Sequence, residues 1–134
     1  MPAKFYDIRR SKSDLYLQNQ IELHPWLPRP DIVDWCEKRG IVLQAYCPLV
    51  RNTRGNDPLL VPLAKKHNKT PAQILLRWGL QNNFVILPKS VTPSRIEENK
   101  EIYDFELSEE DMQSLHTKEY APCAWDPTKA ALSD

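Results

Sequence analysis

Apolar residues fall along this chain in two rhythms, short unbroken runs and longer stretches with helical spacing. The run "NQIEL" (19–23) predicts a short strand, after which "HPWLPRP" (24–30) breaks regular structure with three prolines. Pro30 suits the first position of a helix in which Ile32, Trp35, Cys36 and Arg39 recur at helical spacing, and Gly40 takes the left-handed stop. A second strand, "IVLQAYC" (41–47), begins at once. "PLVRNTRGND" (48–57) is a polar loop, and Asp57 with Pro58 caps a helix carrying Leu59, Leu60, Leu63 and Ala64, with Lys65 and Lys66 at its favourable end. Thr70, Pro71 and Gln73 make a capping box for another helix whose Ala72, Leu75, Leu76 and Gly79 share one face. "FVIL" (84–87) is a buried strand. Thr92 and Pro93 start the next helix, Ser108 with Asp111 starts one through Met112 and Leu115, and "YAPCAWDPTKAALSD" (120–134) is an extended tail. Short strands separated by helices, without hairpin turn signals, imply parallel strands in βα units and an α/β fold.

A length of 134 residues fits one domain, and a compact fold of that size buries roughly two thirds of its unfolded surface. Lys plus Arg equals Asp plus Glu at 18 each, so no global field favours nucleic acid or an anionic membrane, and charge-based recognition must be local. Cys36, Cys47 and Cys123 are odd in number, far apart and without a C-x-x-C pair, which argues against a disulfide framework or a zinc site. They read as inert thiols, in a reducing, cytoplasmic setting. No apolar run approaches the length of about 20 residues that spans a bilayer, and the first residues lack the apolar core of a secretory signal.

The densest polar chemistry lies in "ILPKSVTPSRIEEN" (86–99). In parallel α/β folds a strand's carboxyl end and the next helix's amino end share a rim where free N–H groups attract anions. Lys89, Ser90 and Val91 occupy that rim, while Arg95, Glu98 and Asn99 share a face of the helix. Lysine as a point charge and arginine as a planar fork suit a phosphate monoester, and a carboxylate beside an amide suits a purine's exocyclic amine. The combined target is a 2′-phosphorylated adenosine, hence NADP(H). The competing reading is an exposed helix whose Arg95 pairs with Glu98 or Asn99 for a few tenths of a kcal/mol.

The succession "NQIELHPW", "GIVLQAYCPL", "KTPAQILLRW" and "ILPKSVTPSRIEEN", closing on "FELSEEDM", resembles the C-terminal half of an aldo-keto reductase over residues 19–120. Residues 1–18 form an unmatched leader and 121–134 a tail, whose "EYAPCAWDP" resembles the ending of fungal and microbial members. The resemblance implies an α/β fold that is part of a (β/α)8 TIM barrel, containing its last three parallel strands. It also implies NADP(H) lying across the strands' carboxyl ends, and reduction of aldehydes and ketones. By resemblance, Gln20 binds the nicotinamide carboxamide, Tyr46 stacks on the nicotinamide ring, and Leu49 touches the pyrophosphate. Ala72 borders the adenosine, Lys89, Ser90 and Arg95 hold the 2′-phosphate with Val91 packed nearby, and Glu98 and Asn99 read the adenine.

Two departures follow from the same resemblance. Cys47 stands where the family's "AYSPL" motif has serine, weakening one pyrophosphate contact by roughly 1 kcal/mol. The family's "G-V-S-N-F" stretch and its catalytic acid, lysine, aspartate and histidine have no matching positions, so Lys4, Tyr6, Asp7, Asp14 and Tyr16 receive no catalytic role. No metal is expected, and His24, His67 and His116 read as structural or solvated. Three strands of a closed barrel expose two edges and a face, so self-association, a complementing partner or a truncated product are the expectations. A small carbonyl substrate would require the complement, and a non-catalytic nucleotide-binding or regulatory module is the alternative.

Overall fold

A computed structural model describes residues 17–129 of the chain, so the leader residues named above lie outside the described residues. Three strands, β1 (Gln18–Glu22), β2 (Val42–Tyr46) and β3 (Val85–Leu87), form one sheet in the order β1-β2-β3 with every pairing parallel. Helix α1 (Pro30–Glu37) links the first two strands, and α2 (Leu60–His67) and α3 (Pro71–Gln81) link the second pair. Helices α4 (Pro93–Lys100) and α5 (Glu109–Ser114) follow. The expected α/β class and parallel pairing are therefore the observed ones.

Local chemistry explains most boundaries. Gly40 has φ +63, the left-handed geometry that ends α1. Thr70 caps α3 reciprocally with Gln73, and Ser108 caps α5 reciprocally with Asp111. Helix α2 starts two residues later than Asp57 and Pro58 predict, although the Asp57 carboxylate accepts from Leu59 N–H and its carbonyl accepts from Leu60 and Val61. Its last turn closes on Asn68 in the left-handed region.

The two faces of the sheet differ. Leu43 and Ala45 point to the helices and join Trp26, Leu60, Leu63, Ile74, Leu75 and Trp78 in the buried core. Burying side chains of this size stabilises the fold by about 2 kcal/mol each. At Gly79 an added Cβ would lie 2.6 Å from Ile86 Cγ2, so α3 rests directly on β3. The opposite face carries Gln18, Gln20 and Glu22 beside Val42, Gln44, Tyr46, Val85 and Leu87. Among these, Val42, Val85 and Leu87 are 46%, 43% and 37% exposed.

Candidate functional site

A cavity of about 220 Å³ lies where the segments leaving β2 and β3 meet the amino end of α3 and one face of α4. It brings together seven residues singled out in the sequence: Leu49, Ala72, Lys89, Ser90, Arg95, Glu98 and Asn99. Arg95, Glu98 and Asn99 do share a face of α4. Neither Lys89 nor Arg95 has an ion pair or side-chain hydrogen bond among the described residues, so Arg95 does not form the pair with Glu98 that an ordinary surface helix would make. Among the described residues the only salt bridge drawn from α4 is the pair Lys100–Glu97 at 2.7 Å.

The start of α4 is open to a ligand. Thr92 is its N-cap residue and no side chain caps the helix; the Thr92 carbonyl accepts from the Arg95 and Ile96 N–H groups and Pro93 carries none, so what this end chiefly offers an anion is the positive end of the helix dipole. Ser90 Oγ accepts from Thr92 N–H at 3.3 Å and so shapes the turn entering it. The far end of α4 is tied to α3. Thr70 Oγ1 donates to Glu98 at 2.6 Å, and Gln73 Nε2 donates to the carbonyls of Glu98 and Glu101. Glu98 thus enters the cavity with one carboxylate oxygen already engaged.

Four other expected residues stand outside the cavity lining. Gln20 is exposed on the open sheet face, two register steps from the pair Glu22–Tyr46. Tyr46 is half-buried and its hydroxyl donates to the Trp125 carbonyl at 3.5 Å. Burial, and then the nearby Glu22 carboxylate, raises the Tyr46 hydroxyl above the ordinary phenol range. Cys47 is half-buried at φ +50, just ahead of Leu49. Val91 is 87% exposed and packs on nothing here, because the Ser90–Thr92 turn directs it to solvent.

Sequence reasoning missed Asn52, Gly55, Thr70 and Pro71 as cavity walls. Asn52 and Gly55 sit in the loop after β2, where parallel folds place their ligands, and that position was the available signal. The loop is wound tightly: Val50, Arg51 and Asn52 all have positive φ, an unusual state for a β-branched valine, held by burial of Val50.

A second polar cluster lies at the tip of β1. Glu22 and His24 are both fully buried and joined at 2.8 Å. The Glu22 carboxylate also accepts from the backbone N–H groups of Cys123 at 2.6 Å and Ala124 at 3.1 Å. Burial pushes its proton affinity up, but the Cys123 N–H and His24 outweigh that, and Glu22 ends below the usual carboxylate range. Burial lowers His24, so it stays neutral, donating from Nε2 and leaving Nδ1 without a partner. Arg29 donates to the Glu22 carbonyl and pairs with Asp126 at 3.3 Å, which straps the tail across the strand tips. His24 is therefore structural, His67 is bonded to Asp111, and His116 is exposed.

The sequence profile of the Aldo/keto reductase family matches residues 3–119. The chain belongs to that family. The match also takes in most of residues 1–18. Among its aldo-keto reductase relatives, an uncharacterised oxidoreductase of Schizosaccharomyces pombe is 46% identical over 115 residues, covering 85% of this chain and 42% of that protein. A glyoxal reductase of Bacillus subtilis is 45% identical over 97 residues, covering 72% of this chain and 35% of that one. A crystal structure of a Gox0644 variant in complex with NADPH superposes with a TM-score of 0.80 at 35% identity, over 87% of this chain and 44% of that one. The chain thus spans less than half the length of the relatives it matches, and its three strands correspond to part of their TIM barrel. Among the described residues no helix is long and apolar enough to cross a membrane.

Proposed function

We propose that this chain supplies the NADP(H)-binding portion of an aldo-keto reductase that reduces aldehydes or ketones to alcohols. The observation that carries this reading is the convergence of Lys89 and Arg95, neither with an ion-pair partner among the described residues, on one cavity beside the uncapped start of α4. A phosphate monoester there meets a point charge, a planar fork and the positive end of a helix dipole together. Ser90 adds a hydroxyl, Glu98 and Asn99 face the space an adenine would fill, and Ala72 and Leu49 close the sides. The bound dinucleotide supplies hydride chemistry. Tyr46, with Gln20 on the same sheet face, offers a flat ring and an amide for the nicotinamide end, and Cys47 would contribute only a weak donor near the pyrophosphate.

No residue of this chain is assigned the proton-donating role. Turnover of a small carbonyl substrate therefore rests on a complement that carries that role; a second copy seated on the open sheet face, with its exposed Val42, Val85 and Leu87, would cover the face without supplying it. The alternative, a nucleotide-binding module without turnover, is favoured by the same open face if no complement restores activity.

The test is titration of NADPH and NADH into the wild type, Arg95→Ala and Lys89→Ala. Losing a charge-assisted phosphate contact costs about 1.5–3 kcal/mol, roughly tenfold to a hundredfold in NADPH affinity, with NADH little changed. Equal weakening of both dinucleotides would remove the phosphate-reading assignment.

A further inference from the structure

The tail brings two of the three cysteines together. Tyr46 is the register partner of Glu22, so Cys47 leaves β2 one residue beyond the position level with Glu22. That carboxylate holds the Cys123 backbone N–H at 2.6 Å, and the Cys123 sulfur lies within 4.8 Å of both Glu22 and His24 ligand atoms. The Cys123 thiol faces both Glu22 and the Cys47 thiol. The tail cannot drift away, because Ala121 N–H donates to the Trp26 carbonyl, Tyr46 reaches the Trp125 carbonyl, and Arg29 grips Asp126. Cys36 is excluded: it is buried on α1 with Asn19 Nδ2 against its sulfur.

We infer that Cys47 and Cys123 form a reversible intrachain disulfide that fastens the C-terminal tail over the tips of β1 and β2. A cation is a poorer occupant of this cluster, since three donors at 2.6, 2.8 and 3.1 Å already fill the Glu22 oxygens. Burial, then Glu22 and Cys47, pushes the Cys123 thiol up to about 12, so Cys47 is the sulfur that meets an oxidant first. With hydrogen peroxide, the Cys47 sulfur attacks oxygen as its thiol proton leaves, the O–O bond breaks, and the departing hydroxide takes up that proton, giving a sulfenic acid and one water. The Cys123 sulfur then attacks the Cys47 sulfur. The S–S bond forms as the S–O bond breaks, and the Cys123 proton leaves by way of Glu22 with the departing hydroxide as a second water. Two thiols are oxidised and one peroxide is reduced to two waters.

The inference is independent of the nucleotide assignment and is read without nucleotide. The full chain, reduced and then treated with hydrogen peroxide, is alkylated, digested and mass-analysed. A Cys47–Cys123 linked peptide lacking two hydrogens is expected, reversed by dithiothreitol, with Cys36 still open to alkylation once the chain is denatured. Cys36→Ser should keep the link and Cys123→Ser should lose it. Unfolding in urea before oxidation should make the three possible pairings comparable in yield. Thiols that stay free, links dominated by Cys36 or by chain-to-chain bonds, or the same selectivity in urea would each overturn the inference.

Discussion

Glu22 and Arg95 both lie at the rim of the sheet, and the protein treats their charges in opposite ways. Around Glu22 every oxygen is occupied by a buried partner, His24, Cys123 or Ala124, and Arg29 and Asp126 close the strap beside it. Around Arg95 and Lys89 the charges are exposed and unpaired among the described residues, although Glu98 stands within one helical turn. A satisfied ionic cluster positions backbone, whereas unspent cations in a cavity await an anion.

The sharpest way to break this contrast is to remove the buried acid. Glu22→Ala strands His24 and two backbone N–H groups, and a loss of about 3 kcal/mol is expected in urea unfolding. A loss near zero would show that the tail is not held from this point. Arg95→Ala should leave the urea midpoint within about 0.5 kcal/mol of wild type, the norm for an exposed surface site, while reducing NADPH affinity as set out above.

Acid should act first on the buried cluster. His24 has a folded-state proton affinity below its ordinary one, so its contribution is present above about pH 6.5 and is lost as pH falls below that value. Glu22, and Asp111 held low by Lys66 and His67 against the effect of burial, add losses as pH falls below about 4. Urea midpoints at neutral, mildly acidic and strongly acidic pH should show two falling stages. A His24→Asn variant should flatten the first, and an unchanged first stage would reassign it. The smallest expected effect is that of Thr70→Ala, which removes the α3 cap at about 1 kcal/mol and frees the Glu98 carboxylate. If Glu98 reads adenine, that variant should alter affinity for NADPH and NADH alike.

Local signals made much of the fold legible. The Thr70–Gln73 box, Gly40, and the runs at β1, β2 and β3 each carry their structure in a few adjacent residues. The cavity face of α4 was legible for the same reason, since Arg95, Glu98 and Asn99 fall within one turn. The Glu22 cluster was not, because its partners are 101 and 102 positions away and nothing local distinguishes Glu22 from any polar strand residue. The meeting of Cys47 with Cys123 was hidden by the same distance. The left-handed run at Val50–Asn52 defied local preference, since burial of Val50 overrides its β-branched bias.

At Gly79 there is room for a hydrogen and nothing more between α3 and Ile86. The same helix begins at Thr70 and Pro71, two walls of the cavity proposed for the nucleotide. A beam seated on its support without clearance cannot retreat, so the width of that cleft is set when the chain folds and not by whatever later enters it. Its occupant must fit a mould already cast, which spares the complex the entropic toll of shaping one.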